Sequence, residues 1–141
     1  MSDLTLLVVE DDDVDAECVA RGLRKAKVEV GHVRVPHAEG ALDLLRGESC
    51  PPLAGPFLVL LDLNLPGIDG VAFMEELRSD ADSRLRDAVV FVLTTSEDPR
   101  DKAAAYRHRA AGFISKSTLG VDYSTLAELI DRFKALVQLP D

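Results

Sequence analysis

Positive charge is scarce in this 141-residue chain: 16 lysines and arginines stand against 25 aspartates and glutamates, a net charge of -9. Phosphate neutralisation needs clustered Lys and Arg, so this balance argues against a nucleic-acid or anionic-membrane surface and favours a cation or a basic partner. Long apolar stretches are also missing. The longest, around "FLVLL" and "AVVFVL", fall far short of a bilayer span, and no basic segment precedes an apolar one at the N-terminus, so the expected location is the cytoplasm. There are two cysteines, Cys18 and Cys50, with no C-x-x-C spacing and no nearby histidine, which suggests neither a zinc site nor a disulfide framework. Both read as reduced thiols. What the chain does have is a composition that is 47% hydrophobic, at the commonest size for one domain, and residues 1–141 are expected to form that domain.

The apolar pattern alternates between strand-length runs and helical periods. "LTLLVV" (4–9) is a continuous apolar run, and "DAECVARGLRKA" (15–26) places Val19, Leu23 and Ala26 on one helix face. "VEVGHVRV" (28–35) alternates with period two, and "HAEGALDLLRG" follows with Ala38, Ala41, Leu42 and Leu45 and a terminal glycine suited to a C-cap. After the loop chemistry of "ESCPPLAGP" (48–56), "FLVLLD" reads as a strand buried on both faces and "VAFMEELRS" as a helix carrying Phe73, Met74 and Leu77. "AVVFVL" (88–93) with "PRDKAAAYRHRA" (99–110) makes a fourth pair, and "GFIS" with "YSTLAELIDRFKALVQ" a fifth. Five βα units with doubly apolar strands predict an α/β fold, a doubly wound parallel sheet with helices on both faces.

In such sheets the site lies beyond the carboxyl ends of the strands. Glu10 and Asp11 then sit at the end of the first strand, Asp62 at the third, Thr94 and Thr95 at the fourth, and Ser115 and Lys116 at the fifth, all on one rim. The stretch "VVEDDDVDAE" (8–17) packs six acidic side chains into ten positions there, a repulsion that needs an offset. Glu10, Asp11 and Asp62 supply hard oxygen ligands for Mg²⁺, and a metal ion, the Lys116 ammonium and the Thr94 hydroxyl around one carboxylate are the parts that phosphoryl transfer requires. Asp62 is the natural acceptor. Asp12, Asp13 and Asp15 read as residues of the helix start, meeting free N–H groups and the positive dipole end. His32, His37 and His108 have no ligand partners at metal spacing and read as structural, while Arg100, Lys102, Arg107, His108 and Arg109 read as a solvated helix face or a dock for an acidic partner.

The motifs "VVEDD", "LLDLNLPGIDG", "VLTTS" and "FISK" resemble the CheY-like receiver domain of two-component response regulators over nearly the whole chain. The resemblance implies a flavodoxin-like (βα)5 three-layer sandwich with strand order 2-1-3-4-5, phosphorylated on Asp62 by a sensor histidine kinase. It implies Mg²⁺ or Mn²⁺ bound by Glu10, Asp11, Asp62 and the main-chain carbonyl of Asn64, and phosphate contacts from Thr94 and Lys116. Phe113 matches the aromatic switch position, whose coupling to Thr94 remodels the surface of the fourth helix, fifth strand and fifth helix. The proline-rich loop, the "LTTSED" segment and the expected lack of an output domain look like the stand-alone regulators paired with bacterial and cyanobacterial phytochromes, which implies a bacteriophytochrome kinase and a homodimer through that switch face. Two departures stand out: Ser117 follows Lys116 where receivers usually carry proline, and Glu10 replaces the commoner aspartate, a methylene longer and suited to a water-mediated metal contact.

Other classes fit less well. A calcium loop starting at Asp11 would put Ala16 and Gly22 at its sixth and twelfth positions, and one starting at Asp62 would put Phe73 at its twelfth; no G-x-x-x-x-G-K-[ST] is present. A dehalogenase-type aspartyl-phosphate phosphatase needs a second Asp where this chain has Asn64. A receiver-like interaction module that works without phosphorylation is the remaining alternative.

Overall fold

A computed structural model of the chain describes residues 4–47, 53 and 55–140. Its elements run β1 (Thr5–Val9), α1 (Asp13–Lys25), β2 (Gly31–Val35), α2 (Ala38–Leu45), β3 (Phe57–Leu61), α3 (Gly70–Arg78), α4 (Ser83–Arg86), β4 (Val89–Thr94), α5 (Pro99–Arg107), β5 (Gly112–Ser115), a 3-10 turn (Lys116–Thr118) and α6 (Ser124–Leu136). All strand pairs are parallel, in the order β2-β1-β3-β4-β5. The five expected βα units are present. Cys50 and most of the proline-rich loop lie outside the described residues.

Alternation along the strands builds two apolar layers. Leu7, Val9, Val59, Leu61, Val90 and Val92 face Leu42, Phe73, Met74, Leu77 and Ala105 of α2, α3 and α5. Leu6, Val8, Leu58 and Leu60 face Val19, Leu23, Leu126, Ala127 and Ile130 of α1 and α6. β3 is central and every residue of it is buried, which is why its sequence shows no period. The edge strand β2 is exposed at Gly31, His32 and Val33 and is shorter than the alternating stretch 28–35 suggested, since residues 28–30 have no neighbour strand to pair with.

Helix ends follow local chemistry. Asp12 caps α1 by accepting from the Val14 and Asp15 N–H groups, Asp69 caps α3 through the Ala72 N–H, and Asp98 caps α5 with Pro99 in its first turn. Gly47, at φ 79°, takes the left-handed position just past α2. The turn α4 is additional to the five predicted helices: "SRLR" offers a single apolar anchor, the buried Leu85, and so no period to detect. The predicted fourth and fifth helices are therefore α5 and α6. Among the described residues no helix is long and apolar enough to cross a membrane.

Candidate functional site

Strand register brings the acidic residues together. Val9 of β1 is level with Leu61 of β3, so the residues that follow, Glu10 and Asp62, leave adjacent strands side by side. The Asp62 N–H donates to the Val9 carbonyl at 3.0 Å and the Glu10 N–H to the Val35 carbonyl at 3.1 Å, so both backbones still belong to the sheet where their carboxylates emerge. Oxygens of Glu10, Asp11 and Asp62 lie within 4.8 Å of one another. Glu10 and Asp62 are buried and Asp11 is exposed beside them. On the other side, Thr94 is level with Ser115 at the ends of β4 and β5, and Lys116 follows.

The buried Lys116 ammonium is the hub. Its three N–H donors reach Glu10 Oε1 at 2.5 Å, Asp15 Oδ2 at 2.8 Å and Asp62 Oδ2 at 3.1 Å. The other Asp62 oxygen accepts from the Asn64 N–H at 3.1 Å. The 3-10 turn that carries Lys116 is tied by the Ser115 and Ser117 hydroxyls, 2.8 Å apart, and by the Thr118 hydroxyl donating to the Ser115 carbonyl. Ser117, in the place of the usual proline, thus takes part in the turn through its side chain.

Burial is the largest influence on each charge. It pushes the Glu10 carboxyl up to about 7, with Asp62 adding to the effect and Lys116 opposing it. At Asp62 burial acts in the same direction, yet the Asn64 N–H, Glu10 and Lys116 outweigh it and hold the carboxyl below its ordinary value. Burial disfavours the Lys116 ammonium, but its bonds to Asp15 and Glu10 win and keep it charged well beyond its ordinary range. Of the two buried acids it is therefore Glu10 that takes up a proton more readily and Asp62 that keeps its charge more readily. Three converging carboxylates, two of them desolvated and only partly neutralised by one ammonium, are a donor set that fits a hard divalent cation. An open groove of about 440 Å³, bounded by Asp11, Asn64, Pro66, Asp69 and Asp101, leads away from the carboxylates.

Most of the residues picked out in the sequence therefore share one rim. Thr94 is fully buried, its hydroxyl accepting from the Ser96 N–H at 3.2 Å. Phe113 is half-buried on β5 and packs against the core layer that includes Ala105 of α5. Of the three acids assigned to the start of α1, only Asp12 caps it with its side chain; Asp13 pairs with Arg34 and Asp15 with Lys116. Sequence reasoning did not single out the Asp15–Lys116 contact or the Ser96 hydroxyl, which meets Asp101 at 2.5 Å and fastens the loop after β4 to α5. No spacing in the sequence marks the Asp15 contact, since Asp11 precedes the Asp12 cap and shares no helix face with Asp15, and Lys116 lies 101 residues away.

The chain matches the profile of the response regulator receiver domain over residues 6–130. It is 30% identical to the response regulator Rcp1 of Synechocystis, over 91% of this chain and 86% of that protein. It spans about half the length of another Synechocystis relative, the DNA-binding regulator RpaA, at 26% identity over 96% of this chain. Among solved structures, the phosphorylated cyanobacterial phytochrome response regulator RcpA superposes with a TM-score of 0.85 at 29% identity, covering 99% of this chain and 100% of that one. The Mn²⁺-bound form of Rcp1 superposes with a TM-score of 0.81 at 30% identity, covering 97% and 99%. With this profile spanning most of its length and this parallel sheet beneath the acidic rim, the chain belongs to the response regulator receiver family.

Proposed function

We propose that the chain is a phosphorylation switch in which Asp62 accepts a phosphoryl group from a sensor histidine kinase in a reaction that needs Mg²⁺ or Mn²⁺. The observation that carries this reading is the buried Asp62 carboxyl held between the Lys116 ammonium and the acidic rim. An Asp62 oxygen attacks phosphorus, the phosphorus–nitrogen bond to the donor histidine breaks, and the departing imidazole nitrogen keeps the electron pair. The cation, when bound by Glu10, Asp11, Asp62 and the Asn64 carbonyl, supplies positive charge at the transferring oxygens. Lys116 neutralises a further oxygen, and the Thr94 hydroxyl donates to the phosphoryl group after leaving Ser96. Thr94 lies at the end of β4 and Phe113 on the adjacent β5, so movement of the first makes room for the second and alters the α5–β5–α6 surface.

The test is intact mass after incubation with acetyl phosphate. A single acid-labile adduct that requires Mg²⁺ and is missing in Asp62→Asn supports the assignment. An adduct that persists in Asp62→Asn, or none on the wild type while a control receiver is labelled, refutes it and favours a phosphorylation-independent module.

The donor we propose is a phytochrome-type kinase, in keeping with the likeness to RcpA and to the bacteriophytochrome response regulator AtBRR, the latter at a TM-score of 0.73 over 100% of this chain. Transfer from a purified phytochrome kinase that is no faster than from an unrelated kinase argues against that pairing. Exposed Tyr106 on α5 with Leu129, Leu136 and Val137 on and after α6 supports a homodimer through this surface. Light scattering at micromolar concentration tests it, and a clean monomer before and after phosphorylation excludes it.

A further inference from the structure

Asp15 has no place among the cation's carboxylates, yet it holds the ammonium that sits between them. Its Oδ2 accepts from Lys116 Nζ at 2.8 Å, nearer than Asp62 at 3.1 Å. The start of α1 is built to aim it. Asp12 Oδ1 accepts from the Asp15 N–H at 3.0 Å, fixing the first turn over the rim, and the Asp15 side chain is 28% exposed, so its charge is partly desolvated. A lysine ammonium has three N–H donors, and here each meets a different carboxylate. Two of those, on Glu10 and Asp62, belong to the trio whose oxygens converge within 4.8 Å; Asp15 does not.

We propose that Asp15 is a positioning residue for Lys116, the partner that keeps the ammonium on the rim when Glu10 and Asp62 turn their oxygens to a cation. This rests on the proposed phosphoryl-acceptor reading and deepens it. Without Asp15, Lys116 has only Glu10 and Asp62 left to bind, so cation and ammonium compete for the same oxygens. Loss of the Asp15 carboxylate therefore weakens cation binding without removing a cation ligand, and it also slows phosphoryl transfer because the ammonium is less well placed.

A double-mutant cycle read by calorimetric Mg²⁺ titration tests this, because it isolates the pairwise part of an effect. Asp15→Asn should weaken Mg²⁺ binding by about ten-fold, the scale of one charge-assisted hydrogen bond, and Asp15→Glu should recover part of the loss. Asp13→Asn, which removes a first-turn charge paired with Arg34 instead, should bind Mg²⁺ like the wild type. In a Lys116→Met background Asp15→Asn should change the affinity by less than about two-fold, since there is no ammonium left to position. Wild-type affinity in Asp15→Asn overturns the proposal, and so does a loss that persists undiminished in Lys116→Met, which would make Asp15 a cation ligand or a remote charge. Acetyl phosphate labelling of the same variants separates the two readings. An unlabelled wild type that still shows the calorimetric cycle removes the acceptor function and leaves the Asp15–Lys116 coupling standing; a labelled wild type without the cycle does the reverse.

Discussion

Glu10 and Asp62 face each other across one ammonium: Lys116 Nζ stands 2.5 Å from Glu10 Oε1 and 3.1 Å from Asp62 Oδ2, and both carboxylates are buried. The two acids respond differently to the same burial because the Asn64 N–H, Glu10 and Lys116 hold Asp62 down, whereas Asp62 pushes Glu10 further up against the pull of Lys116.

That asymmetry makes the metal-free fold sensitive to pH. Glu10 has an ordinary value of 4.5 and is pushed up to about 7. Between those values the folded chain keeps a proton that the unfolded chain has lost, so Glu10's contribution to stability is full below 4.5, falls as pH rises through the window, and is gone above about 7. Urea midpoints of wild type and Glu10→Gln in chelator should converge at low pH, with the wild type losing ground as pH rises to 7. Parallel curves for the two proteins across this range would remove Glu10 as the source. Cation binding needs the ionised carboxylate, so Mg²⁺ titration at pH 6 should release about one proton and at pH 8.5 almost none.

Replacing Asp62 by asparagine removes one of two crowded charges while keeping its shape. Lys116 retains Glu10 and Asp15 as partners. Because its partners hold Asp62 below its ordinary value, its charge favours the fold while Glu10 carries a proton. Metal-free Asp62→Asn should therefore be no more stable than wild type at pH 6 and should gain by about 1 kcal/mol relative to it above pH 7, where ionised Glu10 repels Asp62. Chemical denaturation in chelator at pH 6 and pH 8.5 measures both. A mutant less stable than wild type at pH 8.5 would show that the Lys116–Asp62 attraction exceeds the Glu10–Asp62 repulsion.

The five βα units were legible because each buries a face with its own period, and the rim was legible because strands end where their apolar runs end. Glu10, Asp62, Thr94 and Lys116 follow from that rule alone. What the sequence could not rank was six acids in ten positions: Asp12, Asp13 and Asp15 share composition and neighbourhood, and only the position of Lys116, 101 residues beyond Asp15, separates their roles. The turn α4 was hidden for the opposite reason, having too few residues for any period. Arg78 was hidden because its partners are carbonyls, and carbonyls leave no mark on a sequence.

Arg78 reaches four of them. Its Nε donates to the His108 carbonyl at 2.8 Å, Nη1 to those of Arg86 at 2.9 Å and Ala88 at 2.6 Å, and Nη2 to that of Arg109 at 3.1 Å. One guanidinium on α3 thus ties together the end of α4, the entry to β4 and the turn after α5, where Arg109 sits at φ 64°. Arg78→Ala leaves half-buried carbonyls unpaired and should cost about 3 kcal/mol, seen as a lower urea midpoint. Arg78→Lys should recover less than half of it, because a lysine cannot present the planar fork. An unchanged midpoint in Arg78→Ala would mean that water replaces the fork at little cost.

Gly70 links packing to the acceptor itself. It opens α3 with its N–H donating to the Leu63 carbonyl at 3.0 Å, and a Cβ at this position would stand 2.6 Å from Leu63 Cα and 2.7 Å from the Asp62 carbonyl oxygen. Both are backbone atoms and cannot swing aside, so Gly70→Ala must displace the segment that carries Asp62. Gly22 meets a similar obstacle, 2.7 Å from the carbonyl oxygens of Asp122 and Tyr123, but those belong to the loop before α6 and hold no carboxylate of the rim trio. Each substitution should destabilise by about 1–3 kcal/mol, the usual cost of overpacking. They should part company in acetyl phosphate labelling under conditions where both are folded: Gly70→Ala slowed by about ten-fold or more, because misplacement by an ångström costs far more in rate than in stability, and Gly22→Ala close to wild type. Equal labelling rates for the two variants would show that the segment after β3 can yield without moving the carboxylate, and that α3 docks against the acceptor strand without setting its geometry.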